Sequence, residues 1–373
     1  MVNTQRLVED FIALCRINSP PKQEAEVIAA VLPRLQRLGL EVKQDDAGKQ
    51  IGGNANNVIA RLPGNVPGAP PIFFSAHFDT VEPNPNVQIV VEEDLIRTDG
   101  SSILGADNKA GLAPLLEAIE CIVEHNLPHG EIWLLLSVAE EIGLQGAKHL
   151  PLEEVSATMG FVLDTGPPVG TVVIGAPTHD HLGVRVTGRA AHAGAAPEQG
   201  ISAIVVASRA IARMRLGRID DETTANIGTF HGGQATNVVC PEVDIRAEAR
   251  SHNTQKLEAQ LAHMVACFRE EAAAMGAQVE VETSRHYQAY RLSEDAPVVQ
   301  VARDSALALG LPYQAKLAGG GSDANVYNAK GIPTVVLSTG MDKVHTHDEC
   351  CRISDLEKTA RWVLEIVRRV AGS

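Results

Sequence analysis

The sequence predicts an α/β protein: a mostly parallel sheet with helices around it, interrupted by an inserted α+β domain of ferredoxin-like type. Three observations predict this. Short apolar runs at 71–74, 131–138, 161–163 and 333–338 read as buried strands, and helical patterns alternate with them. Between 179 and 288 the pattern changes to strands that are apolar on one face only. Each buried run then leads into acidic residues or histidines, at the edge where open α/β sheets keep their ligand sites.

The elements follow in order. Residues 3–16 and 22–38 read as amphipathic helices, the second stopping at Gly39, with Pro33 expected to kink or divide it. Residues 58–62 read as a strand, 63–71 as a Pro/Gly loop, 72–77 as a buried strand and 87–91 as an edge strand. Leu112, Leu115, Leu116, Ile119 and Val123 recur at helical spacing behind Gly105-Ala106-Asp107. Strands at 182–188, 224–230, 238–250 and 279–283, with helices at 198–216 and 254–276, give the order βαββαβ of a split ferredoxin-like unit. Helices at 296–309 and 354–371 and the strand at 333–338 then complete the first domain. The expected division is 1–178 and 289–373 for one domain and 179–288 for the insert.

Composition narrows the function classes. Over 373 residues, 45% hydrophobic and 21% charged content reads as globular. A net charge of −14 argues against a nucleic-acid or anionic-membrane partner, and is compatible with carboxylates gathered around cations. The six cysteines include no Cys-x-x-Cys, so neither a thiolate zinc finger nor a disulfide framework is expected. Reduced thiols, no signal-peptide pattern and no apolar run long enough to span a bilayer point to the cytoplasm.

The chemistry lies in the residues that follow the buried runs: His77 and Asp79, Asp107, Glu140 and Glu141, Asp164, and His345. Singly, each has a plain reading: Asp107 serves equally as a helix N-cap, and the paired glutamates as a solvated turn. Together they form one edge of imidazole and carboxylate without Cys, a set that suits catalytic zinc, with manganese or cobalt as alternatives. The carboxylates suffice for two ions sharing a bridge, with one Glu left over as a base.

Five stretches, Ser-Ala-His77-Phe-Asp79-Thr-Val, Gly-Ala-Asp107-Asn-Lys-Ala-Gly, Ala-Glu140-Glu141-Ile-Gly, Leu-Asp164-Thr-Gly and the late His345, occur in one order along the whole chain. In this the chain resembles the dinuclear zinc peptidases that include peptidase T, the glutamate carboxypeptidases and the aminoacylases, closest to the peptidase T-like branch. The resemblance implies that Asp107 bridges the ions, His77 and Asp164 hold one, and Glu141 and His345 hold the other. It implies Glu140 as general base toward water attacking an amide carbonyl, Asp79 as the residue orienting His77, and a cis peptide at Asp107–Asn108. The insert resembles a lid and dimerisation domain, whose His192 helps bind the substrate carbonyl. Asn237 and Arg250 match substrate-anchoring positions, and Gly320, Gly321 and Ser322 could offer N–H groups to an anionic substrate end. His345 and His347 are both possible ligands; the family spacing to Glu349 favours His345. The implied protein is a cytoplasmic, homodimeric two-zinc peptidase acting on short peptides as a tripeptidase or aminopeptidase. N-acyl amino acid deacylation or carboxypeptidase action is the alternative on the same machinery, and a catalytically silent binding protein the alternative of another class.

Overall fold

The computed structural model describes residues 1–372. The chain divides into two compact units: Met1–Gly175 with Arg291–Ala318 and the stretch from Ser322 onward, and Ala176–Tyr290 with Gly319–Gly321.

The first unit is α/β. Its sheet runs in the order Glu41–Gln44, Val58–Leu62, Ile132–Ser137, Ile72–His77, Met159–Thr165, Thr334–Ser338, Thr171–Ala176. The four strands from Ile132–Ser137 to Thr334–Ser338 are mutually parallel, in a register that sets His77 beside Ser137. Every residue of Ile72–His77 and Ile132–Ser137 is buried, which is why these strands read as unbroken apolar runs. The helix Ala106–Glu124 packs on Ile72–His77 and Met159–Thr165, and Thr4–Cys15 and Ile353–Val370 pack on that helix. Gly160 is required by packing: the Phe73 ring lies 2.0 Å from where a Cβ would stand.

One expectation changes, and two strands fall where the sequence is less definite. The helix Ala25–Arg37 runs undivided through Pro33, because Val27, Ile28, Val31 and Leu35 hold its inner face in the core and proline removes only one N–H donor. Ile89–Glu92 belongs to a small antiparallel sheet with Leu95–Thr98 and Cys350–Arg352. Thr171–Ala176 is a further strand, buried at every residue, for which the sequence reading gives no element.

The second unit is α+β. Its sheet is antiparallel throughout, in the order Gly217–Arg218, Thr223–Gly232, Glu242–Ser251, Thr178–Thr187, Gln278–Tyr287. Leu182, Val184, Val186, Val243, Ile245, Ala247 and Ala249 share a core with Val206, Leu257, Met264 and Phe268 of the helices Ala203–Ala212 and Thr254–Met275. The βαββαβ order is present. The first helix is shorter than 198–216 because Ser202 caps it, accepting the Val205 N–H at 3.3 Å, after a separate 3-10 turn at Pro197–Gln199.

Candidate metal centre

Parallel strands deliver their carboxyl ends to one edge of the first unit's sheet. His77 ends Ile72–His77, Glu140 and Glu141 follow Ile132–Ser137, Asp164 is near the end of Met159–Thr165, and His345 follows Thr334–Ser338. Asp107 enters from Ala106–Glu124, though not as its cap. It has φ −83°, ψ 102°, outside the helical region, and the peptide bond to Asn108 is cis.

The side chains converge. Ligand atoms of His77, Asp107 and Glu141 lie within 4.8 Å of one another. Asp107 divides its oxygens: Oδ1 is 3.1 Å from His77 Nε2, and Oδ2 is 3.3 Å from His345 Nε2. Asp164 Oδ1 stands on the first side, 3.7 Å from His77 Nε2. Glu141 Oε1 stands on the second, 3.4 Å from His345 Nε2. His347 instead faces Glu82 at 3.0 Å on the surface.

Electrostatics mark the centre as short of positive charge. Burial pushes Glu140 well above the ordinary carboxylate range, with Asp164 and Glu141 adding to it, and pushes Asp164 up to about 8. Burial disfavours charge on His77, yet Asp107, Asp164 and Asp79 outweigh that and hold the imidazole well above its usual value. Asp107 and Glu141 raise His345 to about 10. Glu141 Oε1 is buried and has no hydrogen-bond partner. Convergent buried carboxylates, two imidazoles and an orphaned buried oxygen fit a divalent cation.

Asp79 plays a larger part than expected. Its main-chain oxygen is 3.0 Å from His77 Nδ1, and its carboxylate accepts the N–H groups of Glu140 at 3.0 Å and Glu141 at 3.1 Å. Other supports were not legible in the sequence. Glu349, buried, accepts the N–H groups of Gly105 and Asp107 at 2.7 and 2.9 Å, and burial lifts it to about 7. Lys109, fully buried, donates to Ser19 Oγ at 2.8 Å and to the Phe78 carbonyl. Asp323 accepts from Ser137 Oγ. Each of Lys109, Asp323 and Glu349 lay within a stretch singled out for other residues, Glu349 as the reference point for His345, but none was assigned a supporting role.

The remaining predicted residues belong to the second unit, apart from Ser322. His192 is exposed; its Nδ1 accepts the N–H groups of Gly194 and Ala195 at 3.2 and 3.1 Å, so the ring hydrogen is on Nε2. Asn237 is exposed, and its main-chain oxygen accepts the Ala193 N–H at 2.9 Å. Arg250 forks onto Glu248 at 3.0 and 3.1 Å, with Nη1 3.5 Å from Tyr287 Oη and close to Gly320. Contrary to expectation, the Gly321 N–H donates to Tyr287 Oη at 3.0 Å and the Ser322 N–H to Asn325 Oδ1 at 3.1 Å, so both are engaged within the fold.

Residues 73–369 match Peptidase family M20/M25/M40, and the chain belongs to that family as a peptidase T-like member. A tripeptidase from Staphylococcus aureus subsp. aureus Mu50 superposes with a TM-score of 0.95 at 41% identity, over 100% of both chains. Aminopeptidase PepT from Bacillus cereus ATCC 10987 gives 0.89 at 44% identity over 99% of each chain. Peptidase T of Aeromonas salmonicida (strain A449) is 28% identical, covering 93% of this chain and 92% of its own. The protein is thus a peptidase by family. Among the described residues, no helix is long and apolar enough to cross a membrane.

Proposed function

We propose that this protein hydrolyses short peptides with a free amino end, using two divalent cations, zinc first among them and cobalt or manganese as substitutes. The observation that carries the reading is the division of Asp107, one carboxylate oxygen toward His77 and Asp164 and the other toward His345 and Glu141. In this reading His77 and Asp164 hold one ion, Glu141 and His345 the other, and Asp107 both. Bound there, the cations would supply Lewis acidity, polarising the amide carbonyl and making water a better nucleophile. Glu140 takes the proton of the attacking water and passes it to the leaving nitrogen. Asp79 fixes the backbone from which Glu140 projects. The tripeptidase and PepT relatives support peptides as substrates. Against a panel of tripeptides, dipeptides, N-acetyl amino acids and N-blocked peptides, the expected result is hydrolysis of tripeptides at the amino-terminal bond. Turnover of N-acyl amino acids with none of free peptides would replace this reading with the deacylase.

The proposal extends to the second unit, where His192 Nε2–H is a fixed donor for the developing oxyanion and Asn237 and Arg250 anchor substrate. We assign these contacts across a homodimer. The strand Thr223–Gly232 pairs with Gly217–Arg218 only at Thr224 and Ala225, leaving the rest of that edge open among the described residues. Ile204, Val205, Phe230 and Val238 of the same unit are exposed apolar side chains. Mixing Glu140→Gln with His192→Ala tests the arrangement. If His192 serves the partner's site, each mixed dimer has one intact site of two, and an equimolar, randomly paired mixture recovers about a quarter of wild-type turnover. Verified mixed dimers without recovery, or an active monomer, would refute it.

A further inference from the structure

Four consecutive backbone N–H groups lead into the proposed base, and each donates to a side-chain oxygen. Val138 donates to Asn57 Oδ1 at 3.0 Å and Ala139 to Glu24 Oε1 at 2.9 Å; Glu140 and Glu141 donate to the two oxygens of Asp79. The N–H side of the turn is therefore held by side chains of distant segments, while its carbonyls at Val138, Ala139 and Glu140 accept from Gly146, Gln145 and Gly143. Within it, Ala139 has φ +52°, in the left-handed region that residues with a Cβ disfavour. Its N–H is held by Glu24.

Glu24 is placed oddly for an ordinary surface glutamate. It stands at the N-cap position of Ala25–Arg37, yet its side chain makes no capping bond. It is fully buried, and Oε1 accepts the Lys22 N–H at 2.8 Å as well as that of Ala139. The buried ammonium of Lys109, which donates to the Phe78 carbonyl one residue before Asp79, adds positive charge to this buried carboxylate region. We propose that Glu24 is a positioning residue for catalysis: by holding the Ala139 N–H it stabilises the left-handed turn that aims Glu140. This rests on the reading of Glu140 as the proton acceptor.

The test compares Glu24→Ala with Glu24→Gln in the metal-loaded, full-length enzyme. Removing the acceptor is expected to lower kcat about a hundredfold, the scale of an ångström-level misplacement of a catalytic group, with KM and bound metal unchanged. Glutamine keeps an acceptor oxygen at the same reach and is expected to retain about a third or more of kcat. If Glu24→Ala does not fold, Glu24→Asp takes its place, since it withdraws the acceptor by one methylene, and the same selective fall in kcat is expected. Two further readouts separate positioning from general stability. Amide hydrogen exchange should quicken at 138–141 before the rest of the first unit. Ala139→Gly, which relieves the left-handed residue, should recover activity several-fold in the Glu24→Ala background. A normal kcat in Glu24→Ala or Glu24→Asp with inactive Glu140→Gln overturns the positioning role and leaves the base intact. An active Glu140→Gln overturns the base instead.

Discussion

Glu140→Gln is expected to lower turnover by about a hundred- to ten-thousandfold, the range supplied by general acid–base catalysis, with metal content unchanged. The substitution keeps the size of the side chain and removes its ability to take a proton. It leaves the backbone alone, because the Glu140 N–H is held by Asp79 whatever side chain follows. Without cations, the Glu140 carboxylate lies above the ordinary range. Burial raises it, His77 opposes the rise, and Asp164 and Glu141 add to it. Glu141→Gln separates the two neighbours. Glu141 Oε1 faces His345 and Asp107 Oδ2, so its loss should lower bound metal from two ions to one per chain, with activity falling as a consequence. Equal metal loss in both variants would show the roles to be misassigned.

The two glutamates also show how much could be read from the chain. A buried parallel strand announces itself by composition, and its carboxyl end is the ligand edge of such a sheet, so His77, Glu140, Glu141, Asp164 and His345 could be placed together before any coordinates. What could not be read was how adjacent residues 140 and 141 reach one site. On an extended backbone they would face opposite ways. The answer is the left-handed Ala139 and the side-chain oxygens of Asn57, Glu24 and Asp79 that hold residues 138–141. Nothing local marks Glu24, which opens a helix like many surface glutamates. Glu349 was visible only as a spacing mark for His345; its contact with the N–H groups of Gly105 and Asp107 appears only in the fold. Supporting carboxylates that bind backbone amides have no spacing rule, because their partners lie on other segments. The Gly-rich turn shows the converse limit: it resembles an anion cradle, yet Tyr287 and Asn325 accept the N–H groups of Gly321 and Ser322.

Removal of divalent cations is expected to abolish peptide hydrolysis, and zinc, cobalt or manganese to restore it. Asp107, Glu140, Glu141 and Asp164 are gathered with little access to water, and burial, with Asp107 and Glu141 adding to it, lifts Asp164 to about 8. Protonated His77 and His345 are the positive charges paired with Asp107, and both are candidate ligands whose nitrogens must give up protons to bind a cation. Binding should therefore release protons, measurable as acidification of a weakly buffered solution during titration. It should also stabilise the first unit, by about 2.7 kcal/mol when free metal is a hundredfold above Kd. For a domain of this size that is a rise in Tm of about 5–10 °C. The stoichiometry should be two ions per chain in the wild type and should fall in His77→Ala, Asp107→Ala and His345→Ala. Asp107→Ala should cost most, since its two oxygens face both sides of the centre. Turnover that persists in protein verified free of metal would end the two-cation mechanism, and a stoichiometry of one ion in the active enzyme would remove the bridge from it.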